Sequence, residues 1–275
     1  MKKFYLILIF IITSNSSVFS QSKWQRTEPL EENISIFRSV EALSLPTTET
    51  MQAGNIYFHI SHKFLVPVSE GFSELFGFDG GIFMRLALGY GITDDLFASI
   101  GRSNHNGNID LQLKYNLLET KQFGLPIAVA INGGAAYNSK VRNEPEDKSR
   151  LLQYYGNLIL NSKTGKFGFG IVPSFLYNSN IECSECQFSW TLGAYGQYFF
   201  NERWSVIAEA NPTLNGWRQY YDTYSIGAEV ETAGHFFKVF ISNNVYTNMS
   251  QFLSGATSAF DKGDVHIGFV ITRVL

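Results

Sequence analysis

Cys183 and Cys186 form the pair whose spacing is most readily associated with chemistry. In a cytosolic protein, a Cys-x-x-Cys spacing indicates redox or zinc chemistry. Two thiolates do not complete a tetrahedral zinc site, and no second pair of cysteines is present in the sequence. We interpret the pair as a local disulfide that staples an external loop in an oxidising compartment, with a metal or redox role as the alternative.

The five histidines do not form a metal-binding pattern. They are scattered along the sequence at His59, His62, His105, His235 and His266. His59 and His62 have opposite parity, so they cannot both face the same side of a regular strand. No pair has the i, i+4 spacing that places two ligands on one helix face. We predict no metal site and no cofactor.

A hydrolase site is a weaker hypothesis. Serines are plentiful, and His266 and Glu229 are candidate neighbours across strands. However, the sequence contains no Gly-x-Ser-x-Gly nucleophile turn. The acidic loop 144–147 fits either a divalent cation site or a solvated loop, and the solvated loop is favoured. We therefore predict no catalytic residues and no enzyme activity.

The element that best shows how side chains are positioned is Asn108–Leu117. Its odd positions are apolar or aromatic, and its even positions are polar or charged. Successive side chains of a strand point to opposite faces, so this run has one apolar and one polar face. A similar pattern recurs about a dozen times, which is typical of a transmembrane β-barrel.

Alternation and turn residues together predict twelve strands. They lie near 55–64, 82–91, 96–102, 108–117, 127–136, 151–160, 167–177, 187–199, 204–211, 221–231, 236–244 and 265–274. Short turns alternate with longer connections, the latter at 65–81, 137–150, 178–186, 212–220 and 245–264. Outer-membrane barrels have short periplasmic turns and long external loops, and an even number of strands places both termini in the periplasm.

Parity then assigns the charged side chains to the inner face, away from lipid. The candidate lumen or solute-lining residues are Arg85, Asp110, Lys114, Glu209, Glu229, Glu231 and Lys238. Their mixed signs suit an interior salt-bridge network about as well as the charged lining of a pore, because buried polar groups must pair or be hydrated.

Composition supports a secreted membrane protein. The chain has 24 Phe and 14 Tyr but only 16% charged residues, as lipid-facing bands and aromatic girdles require. A net charge of −3 gives no support for nucleic-acid binding. Residues 1–20 have the charged start, apolar core and small final residues of a cleaved signal peptide. Residues 21–54 are predicted to be a periplasmic extension or a plug inside the lumen, followed by the barrel at 55–275.

Several short motifs resemble those of a Bacteroidota outer-membrane β-barrel family known only as a domain of unknown function. They are His62–Phe64, Leu75–Asp79, Tyr90–Asp94, Ile100–Ser103, Tyr221–His235 and Phe260–Val274, in that order. The resemblance runs from about residue 36 to the C-terminus. It implies a barrel in the outer membrane and supplies no catalytic residues.

The sequence thus predicts an all-β, antiparallel transmembrane β-barrel of about 12 strands in the cell outer membrane. The favoured function is a porin-like channel for small polar solutes with a mixed-charge lumen. The alternative is a closed structural or docking barrel that engages a periplasmic or surface partner. The expected contacts are outer-membrane lipid, small polar solutes and, in the alternative, such a partner.

Overall fold

A computed structural model describes residues 35–120, 125–141, 145–183 and 185–275. Within them the strands are β1 (Ile56–Phe64), β2 (Ile82–Gly91), β3 (Leu96–Ser103), β4 (Asn108–Thr120), β5 (Ile127–Asn138), β6 (Leu152–Thr164), β7 (Phe167–Tyr177), β8 (Phe188–Phe199), β9 (Trp204–Asn211), β10 (Thr213–Gly216), β11 (Thr223–Thr232), β12 (His235–Ser242) and β13 (His266–Val274). The helical elements are short: α1 (Met249–Phe252) and 3-10 turns at Val68–Gly77, His105–Gly107, Lys148–Leu151 and Phe260–Lys262.

All the strands except β10 form one closed antiparallel barrel. Neighbours in the chain pair from β1 to β9, and the ladder continues from β9 through β11, β12 and β13. The pairing of β13 with β1, in which Ile271 faces Ile60, completes the ring. A closed ring leaves no sheet edge in lipid, where unpaired backbone groups are costly. The predicted barrel of about 12 strands is confirmed.

Strand β10 is the element that the sequence pattern missed, because 212–220 was assigned to a loop. Strand β8 has 12 residues and its partner β9 has 8. The external end of β8 would therefore keep unpaired backbone groups beyond Asn211. Residues Thr213–Gly216 supply the missing partners after a register irregularity at Thr213/Asn215.

The outer surface of the barrel is apolar, as a surface facing lipid requires. Leu88, Leu111, Leu113 and Ile226 are each at least half exposed, and Leu111 and Leu113 lie on the apolar face predicted for Asn108–Leu117. Exposed aromatic residues surround both ends. Those near the longer loops are Tyr137, Tyr154, Tyr177, Phe188, Trp190 and Tyr224. Those near the short turns are Tyr90, Tyr115, Phe167, Tyr198, Trp204 and Phe237. Two such girdles mark the interfaces of a membrane-spanning barrel.

Residues 35–54, here called the lumen segment, lie inside the barrel. Its apolar side chains Ile36, Phe37, Leu43 and Leu45 are almost fully buried in a cluster with inward-facing residues of β5 to β9. Glycine makes room for them in the wall: a Cβ on Gly193 would lie 2.7 Å from Cδ1 of Leu45. The segment leaves the lumen at the short-turn end, where the Ala53 amide donates to Asp94 Oδ1 over 2.8 Å.

Residues 243–265, here called the external segment after the external loop predicted at 245–264, enter the lumen from the end opposite the short turns. The segment connects β12 to β13 and contains α1, whose Phe252 is 1% exposed. Asn244 Nδ2 donates to the carbonyls of Phe252 and Gly255 over 3.1 and 3.0 Å, which holds the segment in a compact turn. The lumen segment and the external segment thus occupy the two ends of the lumen.

Among the described residues, no helix has the length and apolar character needed to cross a membrane. The predicted signal peptide at 1–20 lies outside the described residues, as do residues 21–34 of the predicted extension.

The lipid-facing assignment predicts the effect of a charge at mid-strand. Leu113, in the middle of β4, is 50% exposed on the outer face. Leu113→Arg is expected to lower the free energy of unfolding in lipid vesicles by roughly 2–4 kcal/mol, the cost of an arginine near the bilayer midplane. Glu146→Arg, at an exposed loop position, is the control. Equal stability of the two variants in denaturant titrations would contradict the lipid-facing assignment.

Candidate functional site in the barrel lumen

Glu209 on β9 binds the lumen segment through the main chain. Its Oε2 accepts from the amides of Leu43, Ser44 and Leu45 over 3.2, 2.9 and 2.9 Å. The side chain is almost fully buried. Hydrogen bonds to an ionised acceptor are stronger than neutral ones, so these three amides favour the charged form of the buried Glu209 side chain.

Lys114 on β4 binds the same segment as a hydrogen-bond donor, whereas Glu209 acts as an acceptor. Its Nζ donates to the carbonyls of Val40, Thr47 and Glu49 over 2.7, 2.9 and 2.6 Å. An ammonium group has three donors, and all three are used. Within the described residues no carboxylate lies at ion-pair distance of Lys114, so the carbonyl dipoles stabilise its charge.

Lys238 on β12 also binds the lumen segment. Its Nζ donates to the carbonyls of Glu41 and Ala42, each over 2.6 Å, and to Ser39 Oγ over 3.0 Å. It also forms an ion pair of 3.5 Å with Glu229 on β11. Gln197 Nε2 donates to the other oxygen of Glu229 over 2.8 Å. This cluster joins three strands of the wall to the segment.

Arg85 and Asp110 form a buried ion pair between β2 and β4. Arg85 Nε lies 2.9 Å from Asp110 Oδ1, and Nη2 donates to Oδ2. Arg85 Nη1 lies 3.3 Å from His59 Nδ1, and His59 Nε2 lies 2.8 Å from Glu41 Oε1. The pair is therefore linked to the lumen segment through one histidine.

Asn161 and Tyr195 hold the segment on the other side of the lumen. Asn161 Oδ1 accepts from the Thr48 amide over 2.8 Å, and its Nδ2 donates to the Tyr195 hydroxyl over 2.6 Å. That hydroxyl donates to the Pro46 carbonyl over 3.1 Å. The polar contacts of the segment therefore reach strands on both sides of the barrel.

Two carboxyl groups of the lumen segment have shifted pKa values. Burial raises the pKa of Glu41, but the contacts with His59 and the charges of Lys238 and Arg85 outweigh burial and lower it to about 2. Burial raises the pKa of Glu49 to about 7, despite its hydrogen bonds to the amides of Phe37 and Ile36. Glu41 is thus ionised at neutral pH, whereas Glu49 titrates there.

The external segment docks on a row of wall amides. Asn138 Nδ2 donates to Gln153 Oε1 over 3.0 Å, and Ser250 Oγ donates to the same oxygen over 3.1 Å. Gln251 Nε2 lies 3.4 Å from Asn138 Oδ1. Between the external segment and the lumen segment a cavity of about 50 Å³ remains, enough for a few water molecules.

The structure places six of the predicted lumen residues inside the barrel and buries them: Arg85, Asp110, Lys114, Glu209, Glu229 and Lys238. The seventh, Glu231, lies near the short-turn rim, partly exposed, 3.6 Å from Arg38. Their part in solute passage stays a prediction. The partners on the lumen segment were not identified from the sequence, because most of them are main-chain atoms.

Glu229 and His266, the two residues of the hydrolase hypothesis, bind other partners. Glu229 is bonded to Lys238 and Gln197, and His266 Nε2 lies 2.9 Å from Ser258 Oγ. Among the described residues, no carboxylate is hydrogen-bonded to His266 Nδ1. Within the same residues, no group of three potential ligands could hold a metal ion.

The two cysteines are free thiols in the structure, Cys183 partly buried and Cys186 exposed. Asn180 Nδ2 lies 2.9 Å from Cys183 Sγ. The disulfide inferred from the sequence is therefore not formed here, and it stays a prediction for the oxidised protein.

Fold, lipid-facing band and occupied lumen together define a membrane-bound β-barrel that contains part of its own chain. The chain belongs to the family described as a membrane-bound β-barrel domain, DUF5777, whose model matches residues 37–275. The barrel family of unknown function predicted from the motifs is thereby confirmed.

Solved structures with a similar fold include porins and channels. The NanC porin has 11% sequence identity and a TM-score of 0.48, with 81% of this chain and 98% of that chain covered. An outer membrane channel from Pseudomonas putida F1 has 13% identity and a TM-score of 0.49, with 83% and 98% covered. OmpT of Vibrio cholerae in its trimer form has 9% identity and a TM-score of 0.38, with 82% and 100% covered. No curated protein matches the chain.

Replacing the carboxylate of Glu209 is expected to loosen the lumen segment. Glu209→Gln keeps an oxygen acceptor but removes the charge, and hydrogen bonds to charged groups contribute about 1.5–3 kcal/mol. We expect trypsin to cleave the Arg38–Ser39 bond in detergent about tenfold faster or more than in the wild type. Glu202→Gln, in an exposed turn, should cleave at the wild-type rate. Equal rates for all three proteins would show that Glu209 does not hold the segment.

Docking of the lumen segment should weaken as the pH rises toward neutrality. The docked Glu49 has a pKa of about 7, above its ordinary value of 4.5, because it is buried. A raised carboxyl pKa stabilises the docked form fully below pH 4.5, and this stabilisation is lost as the pH rises through about 7. Between pH 5.5 and 8, the ratio of wild-type to Glu49→Gln cleavage at Arg38 should therefore increase with pH. A ratio independent of pH would rule out a role for Glu49.

Proposed function

We propose that the protein is an outer-membrane channel for small polar solutes, held closed in the structure by the lumen segment. The proposal rests on the polar side chains of the barrel wall that contact the lumen segment. Lys114, Glu209 and Lys238 are ionisable side chains that are buried and hydrogen-bonded to main-chain atoms of the lumen segment.

A permanently closed barrel has no need of such a wall. Buried ionic groups contribute little stability compared with well-packed apolar residues of similar volume, because their desolvation is costly. If the lumen segment leaves the lumen, the inner wall faces water. Charged side chains on this wall then suit an aqueous path. Without the lumen segment, Arg85, Asp110 and Lys238 would face water and set the selectivity of the path.

Each part of the chain has a role in this channel. Residues 1–20 are a signal peptide removed on export, 21–54 are a periplasmic extension whose part 35–54 acts as a plug, and 55–275 form the barrel. The contact between Ala53 and Asp94 at the short-turn end supports entry of the plug from the periplasmic side, because short turns of such barrels are periplasmic. The barrel contacts outer-membrane lipid and has no catalytic role.

The closed structural or docking barrel is the second candidate. The external segment favours it: Asn244, Ser250 and Gln251 are buried and hydrogen-bonded, so the second end of the lumen is also occupied. In that case the N-terminal residues or the external loops would engage a periplasmic or surface partner.

Removal of the plug separates the two candidates. We expect a variant that lacks 22–54 to give stable conductance steps, proportional to salt concentration, in planar bilayers, whereas the wild type stays mostly closed. Both proteins must first show the heat-dependent gel shift of a folded barrel. Glu202→Gln, which changes only an exposed turn, should behave as the wild type. Silence from folded, inserted Δ22–54 protein would reject the channel and leave the docking barrel.

A further inference from the structure

The cavity between the lumen segment and the external segment contains a cation with unused hydrogen-bonding capacity. Lys63 on β1 is 2% exposed and lines this cavity. Its Nζ has one hydrogen bond, to Ser44 Oγ over 3.3 Å. The rings of Phe240 and Phe252 lie 5.6 and 5.4 Å from Nζ. An ammonium group has three donors, so Lys63 is incompletely satisfied.

The other charged groups of the cavity are already paired or hydrogen-bonded to protein groups. Arg85 is bound by Asp110, and the three donors of Lys114 are used by carbonyls. Glu41 Oε1 is held by His59. Within the described residues, no carboxylate lies at ion-pair distance of Lys63. The charges of Glu209 and Glu41 act on Lys63 only from a longer distance. A buried ammonium without a directly bonded counter-ion is costly, so a small anion bound to Lys63 would stabilise it.

Two hydroxyls complete the site. Ser61, on the same strand and face as Lys63, is 3% exposed, and its Oγ has no hydrogen-bond partner among the described residues. Thr247 Oγ1, from the external segment, is also buried without a partner. Both residues line the cavity. A serine hydroxyl and a threonine hydroxyl can each donate one hydrogen bond.

We propose that this cavity is a binding site for a small anion, held by the Lys63 ammonium and by the hydroxyls of Ser61 and Thr247. The volume of about 50 Å³ suits a small ligand such as chloride or formate. The ligand lies where the two inserted segments meet, since Lys63 contacts Ser44 of one and Phe252 of the other. Anion binding therefore stabilises the closed lumen, whether or not the barrel conducts in another state.

Stability at constant ionic strength tests the proposal. The barrel, with residues 21–54 in place, is refolded in detergent in sodium gluconate, whose anion is larger than chloride or formate and serves as the reference. Gluconate is then replaced stepwise by formate or by chloride. A ligand that binds only the folded state raises its stability with concentration. We expect the midpoint of the heat-dependent gel shift to rise by a few degrees and to reach a plateau, which a general salt effect does not do.

Matched variants show whether the anion raises the gel-shift midpoint by binding at Lys63. Lys63→Met removes the charge at similar length and should abolish the saturable rise, whereas Lys262→Met, at an exposed lysine, should retain it. Ser61→Ala should raise the half-saturating concentration about tenfold, as expected when one hydrogen bond to a charged group is lost. If Lys63→Met does not fold, Ser61→Ala and Thr247→Val provide the same test.

Three outcomes would overturn the site: a wild-type midpoint that does not change with the anion, an equal saturable rise in Lys63→Met, or Ser61→Ala and Thr247→Val that both titrate as the wild type. The measurement does not require an open pore, so its failure is distinct from silence of the Δ22–54 variant in planar bilayers.

Discussion

An ionised side chain inside a narrow barrel must be hydrated or bonded, and this constraint determines how the lumen is filled. Lys114, Glu209 and Lys238 point inward, away from lipid, where a charge would be costly. Inside, they meet main-chain groups of the lumen segment instead of water. The backbone supplies both polarities, amides for the carboxylate and carbonyls for the ammonium groups. One piece of irregular chain can thus neutralise a wall of mixed sign.

This arrangement also explains why the segment is extended and irregular. A helix would use its own amides and carbonyls in internal hydrogen bonds, so few would remain for the wall. In 35–54 the amides of Leu43 to Leu45 and the carbonyls of Val40, Thr47 and Glu49 are directed outward to side chains. The apolar side chains of the segment then pack against β5 to β9. The segment therefore contacts an ionic and an apolar part of the same wall.

Much of the fold could be predicted because a barrel depends on local patterns. The alternation in Asn108–Leu117 places Leu111 and Leu113 on the lipid face and Asp110 and Lys114 on the inner face, as the structure has them. The strand bounds differ from the prediction by a few residues. Strand β10 was missed because its pairing depends on the unequal lengths of β8 and β9, which no local pattern of 212–220 records.

By itself the sequence determined which side chains face inward, because parity in a strand and the cost of charge in lipid are properties of residue type and position. The tertiary structure decided what these side chains contact. The sequence pattern of 34–45 is weak and indicates no contact with the wall, since the groups that bind Lys114 and Glu209 are backbone atoms that every residue type carries. The same holds for Lys63. Its position in the strand places its side chain on the inner face, but the cavity around it exists only where two distant segments meet.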